Sequence, residues 1–558
     1  MRARAIVASL LFGSALGAGG WWVSQDRAEV PALAPVTEPV AGARLFEQVY
    51  RYIATQYVDS LPLDSLYRKA VAGLVFELND PYSAFLPENR TRRLKEQMGG
   101  AGYSGVGINV DIRDGWATVI EPFAGAPAER AGIQAGDRII AVDGESTVLR
   151  SEQEVANMLR GEPGSMVQFT VERFGVHRFT VNVKRQTVVR PAVPRVVMIS
   201  PEVGYVDLNV FNANSSAEVR VALDSLNKLG AHGVVLDLRG NPGGLLEQGV
   251  AVAELFLDPS ARIVEMRGRP GTPPDAIIDR EPQWWPKLAV AVLVDRNSAS
   301  ASEIVAGALQ DNDRAIIVGQ TSFGKGSAQS VFPMTTGGAL RITTSRWYTP
   351  LGRSISPVAD TSPEPDAESD AESDTGSEAE PATGRTREKP LRPRFTTAMG
   401  RTVLGGGGVV PDVFAGDSVP NVHVQAFARA LGVSGVQYRD ALARVALLFK
   451  ERKAFADPLQ PVTRAMVNAV WDELVRRKVT VPRSVFDAAA PWIARSLGYE
   501  AARVAFGPDA EFRRRAQDDA VIARALRLLD GVQSPREPFA RADDPGILVP
   551  MRAPTLED

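Results

Sequence analysis

Three short stretches of this chain carry residue types that can do chemistry. Asn297-Ser298-Ala299-Ser300-Ala301-Ser302-Glu303-Ile304 follows an apolar run and opens a helical pattern. Gly319-Gln320-Thr321-Ser322-Phe323-Gly324-Lys325-Gly326-Ser327-Ala328-Gln329 sets one lysine between glycines. Upstream, Leu236-Asp237-Leu238-Arg239-Gly240-Asn241-Pro242-Gly243-Gly244 is a Gly-rich turn after another apolar run. A serine hydroxyl is a poor nucleophile until a neighbouring base takes its proton. The chain has no cysteine and only three histidines (His177, His232, His423), far apart in sequence. Thiol nucleophiles, disulfides and Cys-based zinc sites are excluded. A Ser–His–Asp triad or a His-rich metal site requires the fold to bring one of those three in. Lysine is the credible base, provided its amine is neutral. An unperturbed lysine titrates near about 10.4, and burial in an apolar pocket lowers that value by disfavouring the charged form. Phe323 and the flanking glycines suit a tight loop that turns the amine inward. At a helix start, unpaired N–H groups and the helix dipole stabilise a developing oxyanion.

Each residue also has a duller reading. Serines at helix starts are usually caps, which is the reading for Ser298 and Ser302. Lys325 in a Gly-rich loop suits a phosphate binder, but GxxxxGK[ST] is not met at Gly319–Gly326. Gln329 cannot act as a base, although its amide can hold a neighbour in register. Asp311 reads as a helix end or the partner of an arginine, and Arg239 and Asn241 as structural parts of the Gly-rich turn.

The elements that must position these residues follow from pattern. Apolar residues recur at helical spacing from Arg44 to about Met98, interrupted by the turn Asp80-Pro81-Tyr82-Ser83. From Gly99 to about Arg185 the pattern becomes short β-branched runs between glycines, with strands expected at Val106–Val110, Trp116–Ile120, Arg138–Val142 and Met166–Arg173 and a helix at Gln153–Leu159. From Val203 to about Pro350 strands and helices alternate, which argues for an α/β layered domain. A segment rich in Ala, Leu, Val and Arg, from about Asn421 to Asp530, returns to helical periodicity.

At 558 residues the chain holds several cores. Lys+Arg 63 against Asp+Glu 66 leaves a net charge of -3, with no basic excess to call for nucleic acid. Arg2 and Arg4 precede an apolar, small-residue stretch from Ala5 to about Val23, the pattern of a signal peptide or single membrane anchor. Trp21-Trp22 suits a headgroup interface and favours retention. The body is therefore expected outside the cytoplasm. Asp360 to Pro381 is acidic, without Lys or Arg, and too polar to bury a core.

Two resemblances join these observations. Tyr103-Ser104-Gly105-Val106-Gly107-Ile108-Asn109-Val110 resembles the carboxylate-binding loop and first strand of a PDZ domain, and Ala126–Gly144 resembles the other common PDZ stretch. That resemblance makes Gly105, Val106, Gly107 and Ile108 the residues for a substrate's carboxyl tail. An extended peptide adds to a strand edge while backbone N–H groups converge on its terminal carboxylate. The three chemical motifs, in their order, resemble the S41 serine peptidases, the carboxyl-terminal processing proteases, from about Leu45 to Asp412. The resemblance implies Ser300 as nucleophile, Lys325 as base and Gln329 completing the constellation, with oxyanion donors from Ala301 and from Gly243 or Gly244.

The fold class implied is multidomain α+β: N-terminal helices, a PDZ β-sandwich or barrel, an α/β layered, crotonase-like S41 protease core and a C-terminal helical region. Expected boundaries are a signal peptide or anchor at 1–25, a tether at 26–41, helices at 42–98, the PDZ domain at 99–186 and the core at 187–420. A disordered acidic insertion falls at about 357–404, and a helical extension at 421–558. The expected function is an exported endopeptidase of the periplasm or outer face of the inner membrane, needing no cofactor or metal. It would cut proteins with disordered carboxyl termini, and its C-terminal helices would serve a homo-oligomer or an adaptor. The alternative is a catalytically silent, membrane-associated PDZ scaffold.

Overall fold

The computed structural model describes residues 40–542, apart from 101, 124, 175–177, 336, 358–391 and 417–421. The expected export segment, most of the tether and the acidic run Asp360–Pro381 lie outside the described residues. The chain divides into two units, Met1–Phe85 and Leu86–Asp558. In the first, helices α1 (Val40–Gln56) and α2 (Leu63–Phe76) meet through Tyr50 and Tyr67, whose rings stack 4.3 Å apart. The pair is too small to cover its own apolar stripes, so Leu45, Phe46, Tyr52, Leu74 and Phe76 stay exposed.

The second unit begins with α3 (Glu88–Met98) and a β-rich domain. Strand β1 (Tyr103–Gly105) precedes β2 (Ile108–Arg113), β3 (Trp116–Pro122) and β4 (Arg138–Val142), followed by helix α4 (Glu152–Leu159) and strands β5 (Met166–Glu172), β6 (Phe179–Lys184) and β7 (Gln186–Val188). Ser151 and Glu154 form a capping box that starts α4, the S-x-x-E signature of a helix entry. The sheet runs β2-β3-β4-β5-β6, antiparallel throughout. The first strand starts two residues later than the apolar run predicts, because Gly107 at φ +75° turns the chain before Ile108. β7 extends the domain past Gln186 by pairing with β1.

Next comes the layered core. Its sheet holds β8 (Arg195–Met198), β9 (Val203–Asp207), β10 (Gly233–Asp237), β13 (Ala289–Val294), β14 (Ile316–Gly319) and β17 (Val413–Phe414), in that order. Every pairing is parallel except β8 with β9. Side chains alternate across the sheet with period two. Leu236, Val290, Val292 and Ile317 face α5 (Ser215–Lys228), α6 (Leu246–Glu254) and α7 (Ala301–Asp311) in one core. Val235, Ala291, Leu293 and Val318 face the opposite side. A second, antiparallel sheet contains β11 (Arg262–Arg267), β12 (Asp275–Ile278), β15 (Ser327–Pro333) and β16 (Ala339–Tyr348), with β16 paired to both β15 and β11.

The insertion expected to be structureless over about 357–404 carries a hairpin at its end, Arg394–Thr396 against Thr402–Leu404. Arg401 anchors it by pairing with Asp313 and Asp412, and Arg353 donates to the Leu404 carbonyl at 2.8 Å. Arg401, within the expected insertion, is thus a half-buried anchor.

The longer C-terminal helices are α8 (Val422–Leu431), α9 (Gly435–Glu451), α10 (Arg464–Arg476), α11 (Ala490–Phe506), α12 (Pro508–Asp518) and α13 (Ala520–Leu529), with short helical turns at Arg483–Ala488 and Glu537–Arg541. The first four share a core around Phe427, Val470 and Leu497. Val521, Ile522, Ala525 and Leu528 of α13 cover the second face of the parallel sheet.

Candidate active site

The three chemical motifs occupy the loops after β10, β13 and β14, adjacent in the sheet. They lie at the carboxyl ends of the strands, where parallel sheets leave their crevices.

Ser300 sits between β13 and α7 with φ 56° and ψ -115°. That backbone costs a non-glycine residue on the order of 1–3 kcal/mol. Its N–H donates to Glu303 Oε2 at 2.9 Å, and its carbonyl accepts the first helical bonds, from Glu303 and Ile304. Ser298 and Ser302 are not the helix caps their positions suggest. Ser300 holds the cap position, and the flanking hydroxyls turn to the Gly-rich turn. Ser298 Oγ donates to the Leu238 carbonyl at 2.8 Å, and Ser302 Oγ to the Asn241 carbonyl at 2.9 Å.

That turn packs directly on the serine. At Gly243 (φ +94°) a Cβ would lie 2.6 Å from the Ala299 carbonyl oxygen, 2.8 Å from Ser300 Cβ and 2.9 Å from the Ala301 nitrogen. Asn241 is structural, as expected: its Nδ2 donates to the Leu208 carbonyl at 2.7 Å and its Oδ1 accepts the Gly243 N–H at 2.9 Å. The Gly243 N–H is therefore taken. The N–H groups of Ala301 and Gly244 meet no acceptor among the described residues.

Lys325 is half-buried, and its backbone N–H donates to Glu303 Oε2 at 2.9 Å. Phe323 does not cover it in the expected way, since Phe323 is 53% exposed. Backbone closes the loop instead, with the Phe323 N–H on the Ser298 carbonyl at 3.0 Å and the Ser322 N–H on the Val409 carbonyl at 3.1 Å. Gln329 lies on β15 opposite Thr343, and its Nε2 donates to Ser327 Oγ at 3.0 Å and Thr343 Oγ1 at 3.1 Å.

Glu303 joins the serine and lysine loops. It is completely buried. Its Oε2 accepts from the N–H groups of Ser300 and Lys325, and its Oε1 from Ser322 Oγ at 2.6 Å and the Gly324 N–H at 2.7 Å. Ser322 Oγ also accepts the Val409 N–H at 2.7 Å, so its proton points to Glu303. Burial pushes the Glu303 pKa up, against the downward pull of the Ser322 hydroxyl and the N–H groups of Gly324, Lys325 and Ser300. Four donors on two oxygens suit a carboxylate, because a protonated acid would turn a donor towards a donor. The residue-by-residue reading missed this role. Its signal was present as a Ser with a Glu three residues later at a helix start.

Asp311 ends α7 and pairs with Arg353, both side chains fully buried. Arg239 is held by Asp237 and by Asp519. Burial opposes its charge, but these two carboxylates keep its pKa above the ordinary arginine value. Among the histidines, His232 is exposed at the start of β10, opposite the Gly-rich turn; His423 is exposed on α8, and His177 lies outside the described residues.

In the β-rich domain, β2 is a sheet edge, and Ile108 and Val110 share a core with Val155 and Leu159 of the neighbouring α4. Gly105 ends β1, where a Cβ would touch the Tyr103 ring at 2.7 Å. The Val106 carbonyl accepts the Ala128 N–H and the Gly107 carbonyl the Phe123 N–H, both at 2.9 Å. The N–H groups of Val106 and Gly107 meet no acceptor among the described residues. Arg160 stands 5.2 Å from the centre of the Tyr103 ring, beside this loop.

Comparison with known proteins places a peptidase family on the layered core and a PDZ domain on the β-rich domain. The model of Peptidase family S41 matches residues 202–368, and that of the PDZ domain matches residues 119–173. A carboxyl-terminal-processing protease of Picosynechococcus sp. is 39% identical over 336 residues, covering 56% of this chain and 80% of that protein. The carboxy-terminal processing protease CtpA of Bacillus subtilis is 32% identical over 308 residues, covering 55% of this chain and 65% of that one. Among solved structures, the photosystem II D1 C-terminal processing protease is 31% identical, covering 56% of this chain and 90% of that one, with a TM-score of 0.34.

Proposed function

Because the chain belongs to peptidase family S41, the carboxy-terminal processing proteases, and carries a PDZ domain, we propose that it is a serine endopeptidase acting on proteins with unstructured carboxyl termini. Ser300 is the nucleophile and Lys325, as a neutral amine, takes its proton. Gln329 steadies the lysine's surroundings from β15. The N–H groups of Ala301 and Gly244 receive the oxyanion; of the two candidate glycines Gly244 is preferred, since the Gly243 N–H is bonded to Asn241. The tail binds along β2, its carboxylate at the Val106 and Gly107 N–H groups. Export, and anchoring by the basic-then-apolar N-terminus, are part of the same proposal, as is assembly with a second copy or an adaptor.

One observation carries this reading: a single buried carboxylate, Glu303, binds the backbone of both Ser300 and Lys325. Two loops distant in sequence are thereby held in one register, which is what a nucleophile and its base require. The test compares wild type with Ser300→Ala and Lys325→Ala on a folded substrate bearing a disordered tail. Cleavage by wild type alone, with a rate that climbs as pH rises, is expected. Equal cleavage by all three proteins refutes the assignment, and a flat pH profile removes Lys325 as the base.

A further inference from the structure

The C-terminal helices lie outside both matched spans, yet they reach the two working parts of the second unit. At one end they grip the β2–β3 hairpin of the PDZ domain. Glu500 of α11 pairs with Arg113, Arg503 donates to the Ile120 carbonyl at 3.0 Å, and Asp440 of α9 accepts the Asp114 N–H at 3.0 Å. From α11, Tyr499 donates to Asp518 at the end of α12 at 2.7 Å. At the other end, Phe512 of α12 packs on Tyr205 with ring centres 4.7 Å apart, and the Tyr205 hydroxyl donates to Asp237 at 2.8 Å. The next residue after α12 is Asp519, whose two oxygens do different things. Oδ1 caps α13 by accepting the N–H groups of Val521 and Ile522 at 2.9 and 3.0 Å. Oδ2 accepts from Arg239 Nη1 at 2.8 Å. Arg239, also gripped by Asp237, is where the chain leaves β10 for the turn that packs on Ser300.

We propose that Asp519 is a positioning residue for the oxyanion turn, acting through Arg239. The C-terminal helical domain thereby braces that turn and the PDZ hairpin as one body. The inference rests on the peptidase reading for its kinetic consequence but not for its structural one. A cap-only role is the competing account, and the split function of the two oxygens separates them. Asparagine and serine both preserve an N-cap oxygen, whereas alanine does not. Only the native aspartate offers Arg239 a charged acceptor.

The experiment compares Asp519→Asn, Asp519→Ser and Asp519→Ala in the full chain by hydrogen–deuterium exchange and by cleavage kinetics on a tailed peptide. Asn and Ser should speed exchange across residues 239–245 and lower kcat by about tenfold, with KM and tail-peptide affinity unchanged. Combining Asp519→Asn with Arg239→Gln should add little to either single change. If Asn and Ser match wild type in exchange and kcat while Ala alone departs, Asp519 is a helix cap and the proposal is overturned. A wild type that neither cleaves nor is labelled at Ser300 by a fluorophosphonate overturns the peptidase reading. The exchange arm still decides the brace in that case.

Discussion

Replacing Glu303 perturbs the joint between the serine and lysine loops, and its magnitude can be worked from the contacts. Four donors end on this carboxylate: three backbone N–H groups and the Ser322 hydroxyl. Each buried donor left without an acceptor costs about 1–3 kcal/mol. Glu303→Ala strands all four, a loss comparable with the roughly 5–15 kcal/mol that holds a domain together. That variant should fail to fold or melt far below wild type. Glu303→Gln is the informative change, since it keeps the shape and one acceptor oxygen while turning an amide donor towards two existing donors. Its cost should be about 2–6 kcal/mol, read as a lowered calorimetric transition for the protease core. Displacing reacting groups by an ångström is enough to cost about a hundredfold in rate. The soluble Gln variant should therefore lose kcat by at least that factor, and fluorophosphonate labelling of Ser300 should slow in parallel. If Glu303→Gln melts with wild type and labels at the wild-type rate, the carboxylate does not hold the two loops in register. The positive φ of Ser300 would then have another cause.

Other substitutions test neighbouring parts. Gly243→Ala adds a Cβ within 2.9 Å of Ser300 and Ala301, so kcat should fall about a hundredfold, the scale of a lost oxyanion donor, with KM little changed. A steady-state comparison that finds KM alone altered contradicts this. Asp311→Ala leaves Arg353 as an uncompensated buried charge and should cost about 3–5 kcal/mol in an unfolding titration. Asp207 has its pKa raised from 3.8 to about 6 by burial and then by Asp237. The native state therefore holds this proton more tightly than the unfolded chain, and the associated stability is lost as pH rises through 6. Asp207→Asn should be more stable than wild type by up to about 3 kcal/mol above pH 6 and equal to it at about pH 3, below the unfolded pKa. Urea midpoints at the two pH values check the sign.

The legible part of this fold is the part whose local pattern and tertiary role coincide. Arg138–Val142 is the same strand in sequence and structure, and Ala289–Val294, Leu246–Glu254 and Ala301–Asp311 end within three residues of the apolar runs Leu288–Val294, Leu246–Leu257 and Ala301–Leu309. These elements are buried enough that composition alone marks them. The hairpin at Arg394–Thr396 was hidden because local charge says solvated, while its anchor, Arg401, depends on Asp313 and Asp412 from other elements. Ser298 and Ser302 misled for a related reason. A hydroxyl near a helix start has several reachable acceptors, and the choice fell to carbonyls of a turn some sixty residues earlier.

Glu303 shows where legibility ends. The S-x-x-E spacing announces a helix start, and the Ser300 N–H does bind that carboxylate as a capping box would have it. Nothing local says that the same carboxylate will also take the Ser322 hydroxyl and the N–H groups of Gly324 and Lys325. An ordinary cap leaves its carboxylate near solvent, where water can satisfy the remaining lone pairs. Here the second loop replaces that water. The desolvation opposing the charge is offset only while all four donors stay aligned, so loosening either loop weakens the hold on the other. Burying one anion between these two loops thus makes the strained serine and the lysine turn conditional on each other.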